Sequence, residues 1–94
     1  MGTEPIETRR KRLFMRSIRR GIKEMDVILT AFATARLPQM DTEALDAYEA
    51  LIAEQDLDIY PWIIGQTPAP DMHAAMVNEI RSQFNEEIAR QRGV

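Results

Sequence analysis

Ile18, Ile22, Met25, Leu29 and Phe32 recur at steps of four, three, four and three, a spacing that lines up along one side of an α-helix and scatters over both faces of a strand. Two weaker stripes follow it, Leu45, Tyr48, Leu51 and Ile52, then Met76, Val77, Ile80, Phe84 and Ile88. No stretch shows the alternating β-branched pattern of a half-buried strand. Three amphipathic stripes in 94 residues predict an all-α, compact single-domain bundle of about five short helices over 1–94, with 1–8 and 90–94 as its fraying ends.

Turn chemistry places the boundaries. Thr3 is the expected N-cap of a first helix, with Pro5 in its first turn and Ile6, Leu13 and Phe14 on its buried side, while Arg9 to Arg12 face water. A bend is expected between Met15 and Arg20, because Gly21 weakens a continuous helix and Ser17 offers a second N-cap. On the helix that follows, Gly21 and Ile28 fall on one shoulder of the stripe, with Glu24 and Arg20 further round toward solvent. Pro38 ends it, and Asp41 or Thr42 caps the next. Asp56 or Asp58 then caps a short helix holding Ile59, Trp62 and Ile63, with Pro61 tolerated as part of the first turn, and Gly65 closes it. After the stiff Thr67-Pro68-Ala69-Pro70 connector, Asp71 caps the last helix, which runs on toward Gly93. The expected core is Ile22, Met25, Leu29, Phe32, Leu51, Trp62, Ile63, Val77 and Ile80, with Trp62 as its largest member.

Such a core must hold without covalent help, since the chain has no cysteine and so neither disulfides nor a zinc-thiolate site. Its longest uncharged run, Ile59 to Pro70, carries three prolines and is too short to cross a bilayer. Charge is divided sharply. Residues 1 to 23 hold eight Lys/Arg against Glu4 and Glu7, for a net +6, whereas residues 24 to 94 hold four basic groups against thirteen acidic ones, for a net -9. A basic end of this kind serves as a nucleic-acid patch, a targeting segment or a solvated face that complements an acidic partner. Glu4 and Glu7 ahead of the run argue against a transit peptide, and Phe14 is the run's one stacking group.

Catalytic signals are sparse. His73 is the one histidine, placed in the first turn of the last helix, and reads as a surface or capping residue rather than a base beside a nucleophile. Glu54, Asp56 and Asp58 cluster, but a calcium loop counted from Glu54 would need glycine and glutamate where Ile59 and Gly65 stand. The four glycines are scattered and form no phosphate loop. No catalytic, cofactor-binding or metal-binding residue is therefore assigned. One feature stays open: Gly21, between Arg20 and Glu24, costs a helix up to about 1 kcal/mol against alanine, and marks either a bend or a place where a partner comes close.

The stretch from Arg10 to Leu29, with Arg20, Gly21 and Glu24 as Arg-Gly-x-x-Glu followed by Asp26, resembles the succinate dehydrogenase flavinylation factor family of the bacterial SdhE type. The likeness runs over residues 9 to 66, through Phe32, Ala50-Leu51-Ile52, and the aspartates at 56 and 58 before Tyr60-Pro61-Trp62-Ile63. The resemblance implies a five-helix bundle that is not an enzyme. It further implies an assembly factor that binds the flavoprotein subunit of succinate dehydrogenase and promotes covalent attachment of FAD to a histidine there, and leaves open whether the flavoprotein of fumarate reductase is also served. In that scheme Gly21 serves close approach, Arg20 pairs with a partner carboxylate or carbonyl, and Glu24 makes a polar contact near the flavin-linking site. Arg16, Ser17, Arg19 and Asp26 complete the partner-binding set. FAD is then the partner's cofactor and none is held stably by this chain. The factor is expected to be cytoplasmic, monomeric when free, and without nucleic-acid contact or membrane insertion. The alternative is a small regulatory, antitoxin-like or nucleic-acid-binding protein that uses the basic first helix.

Overall fold

The computed structural model describes residues 4–91. Among them are five α-helices and no strand: α1 Ile6–Ser17, α2 Lys23–Arg36, α3 Thr42–Ile52, α4 Asp56–Ile63 and α5 Asp71–Gln91, with a 3-10 turn at Leu37–Gln39 between α2 and α3. The all-α bundle expected from the stripes is what forms, except that α5, at 21 residues, is long rather than short. The layout is an interlocked one: α2 packs on α1 and α5, α3 on α1 and α5, and α4 on α3 and α5.

The central core holds Leu13, Met25, Ile28, Leu29, Phe32, Leu45, Tyr48, Leu51, Ile52, Ile59, Ile63, Met76, Val77 and Ile80, drawn from all five helices. Two expected members stand at its margin: Ile22 and Trp62 are half-buried and pack against it from outside. Ile22 precedes α2, and Trp62 stands on the last turn of a helix only eight residues long. Tyr48, set against Phe32 with ring centroids 5.6 Å apart, is the largest fully buried side chain instead.

The ends of the helices follow turn chemistry with several exceptions. Asp41 caps α3, accepting the Ala44 N–H at 2.8 Å, and Pro38 stands in the 3-10 turn that ends α2. Gly65 closes α4 with a positive φ of 83°: its N–H reaches Trp62 O and the Gln66 N–H reaches Pro61 O, the paired bonds of a Schellman motif. Elsewhere the expectations are corrected. Pro5 lies just ahead of α1 rather than in its first turn, and its carbonyl accepts the Arg9 N–H. Neither Asp56 nor Asp58 caps α4; the cap position is Gln55, and Asp56 is the first helical residue. Pro61 sits in the last turn of α4, not the first, where it removes one rung opposite the exposed Leu57. Asp71 is itself the first residue of α5. Thr3 and Gly93 lie outside the described residues.

The basic run is where sequence and structure part most. Lys11 is exposed, but Arg9, Arg10 and Arg12 are not given over to water. Arg9 reaches Asp46 at 2.7 Å and Glu49 at 2.8 Å, and Arg12 reaches Glu49 and Glu4, each at 2.9 Å. Arg10 pairs with Glu7 at 2.9 Å and donates to Met40 O at 2.8 Å. Isolated surface pairs contribute little, but a guanidinium cluster sharing one carboxylate is a network, and it ties α1 to α3. This matters because the greasy side of α1 is thin: Leu13 is buried, Phe14 half-buried, and Ile6 points outward.

Candidate functional site

Between α1 and α2 the chain leaves helix for five residues, Ile18 to Ile22. The chain bends there as expected, at Ile18 and Arg19 and again at Gly21 and Ile22, and Gly21 and Arg20 belong to this non-helical link rather than to the shoulder of a helix. Ser17 does not cap α2, whose cap position is Ile22. It is the last residue of α1 and fully buried, its hydroxyl donating to Leu13 O at 2.8 Å and lying 2.6 Å from the Tyr48 hydroxyl. Since serine has one hydroxyl hydrogen and Leu13 O takes it, Tyr48 is the donor of that second bond.

From this fixed point the link turns on Arg20. Its guanidinium folds inward, with 10% of the side chain exposed, onto Asp56, 13% exposed, at 2.7 Å. Nε donates to the same carboxylate at 2.8 Å, Nη2 to Ile52 O at 3.0 Å and Glu54 O at 3.4 Å, and Nη1 to Arg16 O at 3.1 Å. Arg16 and Ile52 lie in the last turns of α1 and α3, where carbonyls have no intrahelical partner and the helix dipole is negative. One cation thus closes two helix ends. The Arg20 N–H donates to Asp26 on α2, and the Gly21 N–H donates to the other oxygen of Asp56 at 2.8 Å.

The seven sequence-predicted contact residues therefore divide. Arg16, Arg19, Gly21 and Glu24 are exposed. Arg20 and Asp26 are half-buried and Ser17 is buried, so these three hold the link from within. Gly21 rides on top of the staple: a Cβ built there would meet Asp56 Oδ2 at 3.6 Å, an ordinary contact, and its φ is not positive. Beside Glu24 a groove of about 330 Å³ opens between α2, α4 and α5, lined by Lys23, Glu24, Val27, Ile28, Tyr60 and Phe84. Val27, 59% exposed, lies in it.

His73 is neither a surface residue nor a cap. It is 1% exposed, stacked on Trp62 with centroids 5.8 Å apart, with Nε2 2.8 Å from Glu54 Oε2. Glu54 and Asp56, which looked like neighbours in one acidic cluster, are turned to different partners, His73 and Arg20. Among the described residues no group of three or more His, Asp or Glu is placed to hold a metal ion, and no helix is long and apolar enough to cross a membrane.

Residues 11–84, which include the whole staple and His73, match the model of the family described as flavinator of succinate dehydrogenase. The chain belongs to this family. Curated relatives of the flavinator family agree with that assignment. Succinate dehydrogenase assembly factor 2, mitochondrial, of Candida glabrata is 47% identical over 60 residues, which are 64% of this chain and 39% of the relative. Its namesake in Saccharomyces cerevisiae is 40% identical over 74 residues, 76% of this chain and 46% of the relative. Succinate dehydrogenase assembly factor 2-A, mitochondrial, of Drosophila mojavensis is 35% identical over 89 residues, 93% of this chain and 57% of the relative. The chain thus spans about half the length of the curated relatives it matches.

Proposed function

We propose that this chain is an assembly factor that docks on the flavoprotein subunit of succinate dehydrogenase through Gly21, Glu24 and their exposed neighbours Arg16 and Arg19, and promotes covalent attachment of FAD to a histidine of that subunit. Family membership supports the client. The observation that carries the docking face is Gly21 itself: exposed, held from beneath by Asp56, and free of any conformational or steric need for glycine within the chain. A bare backbone patch with that support suits the close approach of a partner's surface.

In this reading the chain is not an enzyme and supplies no nucleophile or base; its one histidine is enclosed by Trp62 and Glu54. Bond formation is a reaction of the flavin with its own protein, accelerated because the bound factor holds the flavoprotein in a productive arrangement. FAD remains the cofactor of the partner. Arg20 and Asp26 act indirectly, by shaping the link, rather than by pairing with the client as the resemblance implied for Arg20. Residues 1–94 work as one domain, monomeric when free and in the cytoplasm, while the relatives are named as mitochondrial proteins.

The rival reading, a nucleic-acid or antitoxin-like role for the basic helix, is weakened because Arg9, Arg10 and Arg12 are engaged by the chain's own carboxylates. The deciding experiment mixes the protein with FAD and the apo-flavoprotein and reads complex formation and in-gel flavin fluorescence. Gly21→Arg should abolish both with helicity unchanged, and Glu24→Ala should lower covalent flavin more than it lowers stability. Binding to nucleic acid that weakens steeply with salt and survives Gly21→Arg would favour the rival.

A further inference from the structure

The staple beneath Gly21 rests on groups that α1 and α2 do not own. Arg20 is held by Ile52 O, Glu54 O and Asp56, all on or beside the three-residue turn that joins α3 to α4. The turn's backbone–backbone bonds are all to its own flanking helices: the Ala53 N–H reaches Glu49 O at 3.2 Å, the Glu54 N–H reaches Leu51 O at 3.0 Å, and Gln55 O accepts from Asp58 and Ile59, while the Ala53 and Gln55 side chains are exposed. Its one side chain that reaches inward to another element is Glu54, whose carboxylate meets His73 Nε2. A carboxylate accepts, so the shared hydrogen is on Nε2 and Nδ1 is left as a buried atom without a partner. A fully enclosed imidazole that forgoes one of its two hydrogen bonds is costly to retain for packing alone, and a leucine or phenylalanine would fill the same space against Trp62 without that loss.

We propose that His73 is a positioning residue for the Gly21 face: clamped against Trp62 and bonded to Glu54, it sets the α3–α4 turn, whose carbonyls and Asp56 in turn set Arg20 and the outward presentation of Gly21. The chain of contacts runs His73, Glu54, Arg20 with Asp56, and Gly21, from α5 through the turn to the link. This inference rests on the reading of that face as the flavoprotein contact, but the placement of Gly21 is measurable without the client.

The test compares His73→Phe, which keeps the stack on Trp62 and removes the bond, with His73→Gln, whose amide donates from about the position of Nε2. Two readouts are taken: the Gly21 amide resonance of the free protein, and affinity for the apo-flavoprotein. The expected result is a displaced Gly21 amide and roughly tenfold weaker binding in His73→Phe, about 1.4 kcal/mol, with both restored toward wild type in His73→Gln. Glu54→Ala, altered at the solvent side of the pair, should displace the same resonance and serves if His73→Phe does not fold. A Gly21 amide that stays at its wild-type position in Glu54→Ala, and in His73→Phe where that folds, overturns the positioning role. A displaced amide with undiminished flavoprotein binding overturns instead the reading of the Gly21 face as the contact.

Discussion

Asp56 divides its carboxylate between two consecutive residues, one oxygen accepting from the Arg20 side chain and the other from the Gly21 backbone. The division gives the link both a buried anchor and an exposed surface. Arg20 is drawn under the chain, and the peptide that follows is pinned with its bare Cα outward. Arginine suits this post because its planar fork serves a carboxylate and several carbonyls at once, which a lysine ammonium on its flexible stem does not.

Removing one member of a nearly enclosed ion pair leaves the other charge without compensation, and the cost is typically about 3 kcal/mol or more. Asp56→Ala should therefore lower the thermal midpoint by roughly 12 to 24 °C for a domain of this size. The double variant Arg20→Met with Asp56→Leu should lose less than Asp56→Ala alone, because no unpaired charge remains. Urea unfolding of the variants checks this. An Asp56→Ala protein within 0.5 kcal/mol, roughly, of wild type, the range of a neutral surface change, would mean that the pair does not hold the link.

Gly21→Ala asks whether the fold itself needs glycine. The added methyl meets Asp56 Oδ2 at an ordinary 3.6 Å, the Gly21 N–H is retained, and the unfolded chain loses freedom. Stability should stay level or rise by about 0.4 to 1 kcal/mol. Flavoprotein binding should weaken already with alanine and vanish with arginine. A loss of stability beyond about 1 kcal/mol would make the glycine structural and remove the observation on which the docking face rests.

The helices were legible because amphipathic spacing is a local property: Met25, Leu29 and Phe32 declare a buried face within two turns, and all three are buried. The destinations of the charges were not legible, because they are settled across the fold. Arg20 and Asp56 are 36 residues apart, and Arg9 and Glu49 are 40 apart, so the basic run read as a solvated face when its acidic complement lay on α3. Trp62 misled by size, since its place near the end of a short helix, not its area, determines how far it is enclosed. His73 gave no signal, because its neighbours Met72 and Ala74 say nothing of Glu54 19 residues earlier. For the contact set, the Arg-Gly-x-x-Glu pattern named residues that the structure does bring together, but inward and outward members could be separated only once the partner of Arg20 was known.

The α1–α3 network makes a prediction about acid. Hydrogen bonds from Arg12 and then Arg9 hold the Glu49 carboxyl below its ordinary value of 4.5, and Arg12 does the same for Glu4. A lowered folded-state value means the unfolded chain binds protons first as pH falls. The contribution is present in full above the ordinary value and is lost as pH drops through and below it. Glu49→Gln should be less stable than wild type at neutral pH, with the two stability curves converging as pH falls below 4.5. Denaturant midpoints across that range check it, and a constant gap would place the value of Glu49 in packing rather than charge.

Alkali probes the other support of the link, the buried Tyr48–Ser17 pair. Burial pushes the Tyr48 phenol up from 10.0 to about 12, with the charge of Arg20 opposing more weakly. Raising the value means that the folded state keeps its proton when the unfolded chain has already released it. Stability from this group is complete below pH 10 and declines between 10 and about 12, at a limiting slope near 1.4 kcal/mol per pH unit for one proton. Tyr48→Phe should cost about 1 kcal/mol at neutral pH for the lost bond, yet flatten the alkaline decline. Phenolate absorbance in a Tyr60→Phe background, where Tyr48 is the one phenol left, followed alongside denaturant unfolding gives the answer: Tyr48 should ionise only as the fold opens, and phenolate formation at pH 10 in a still-folded chain would show that its hydroxyl is reached by water without disturbing α1.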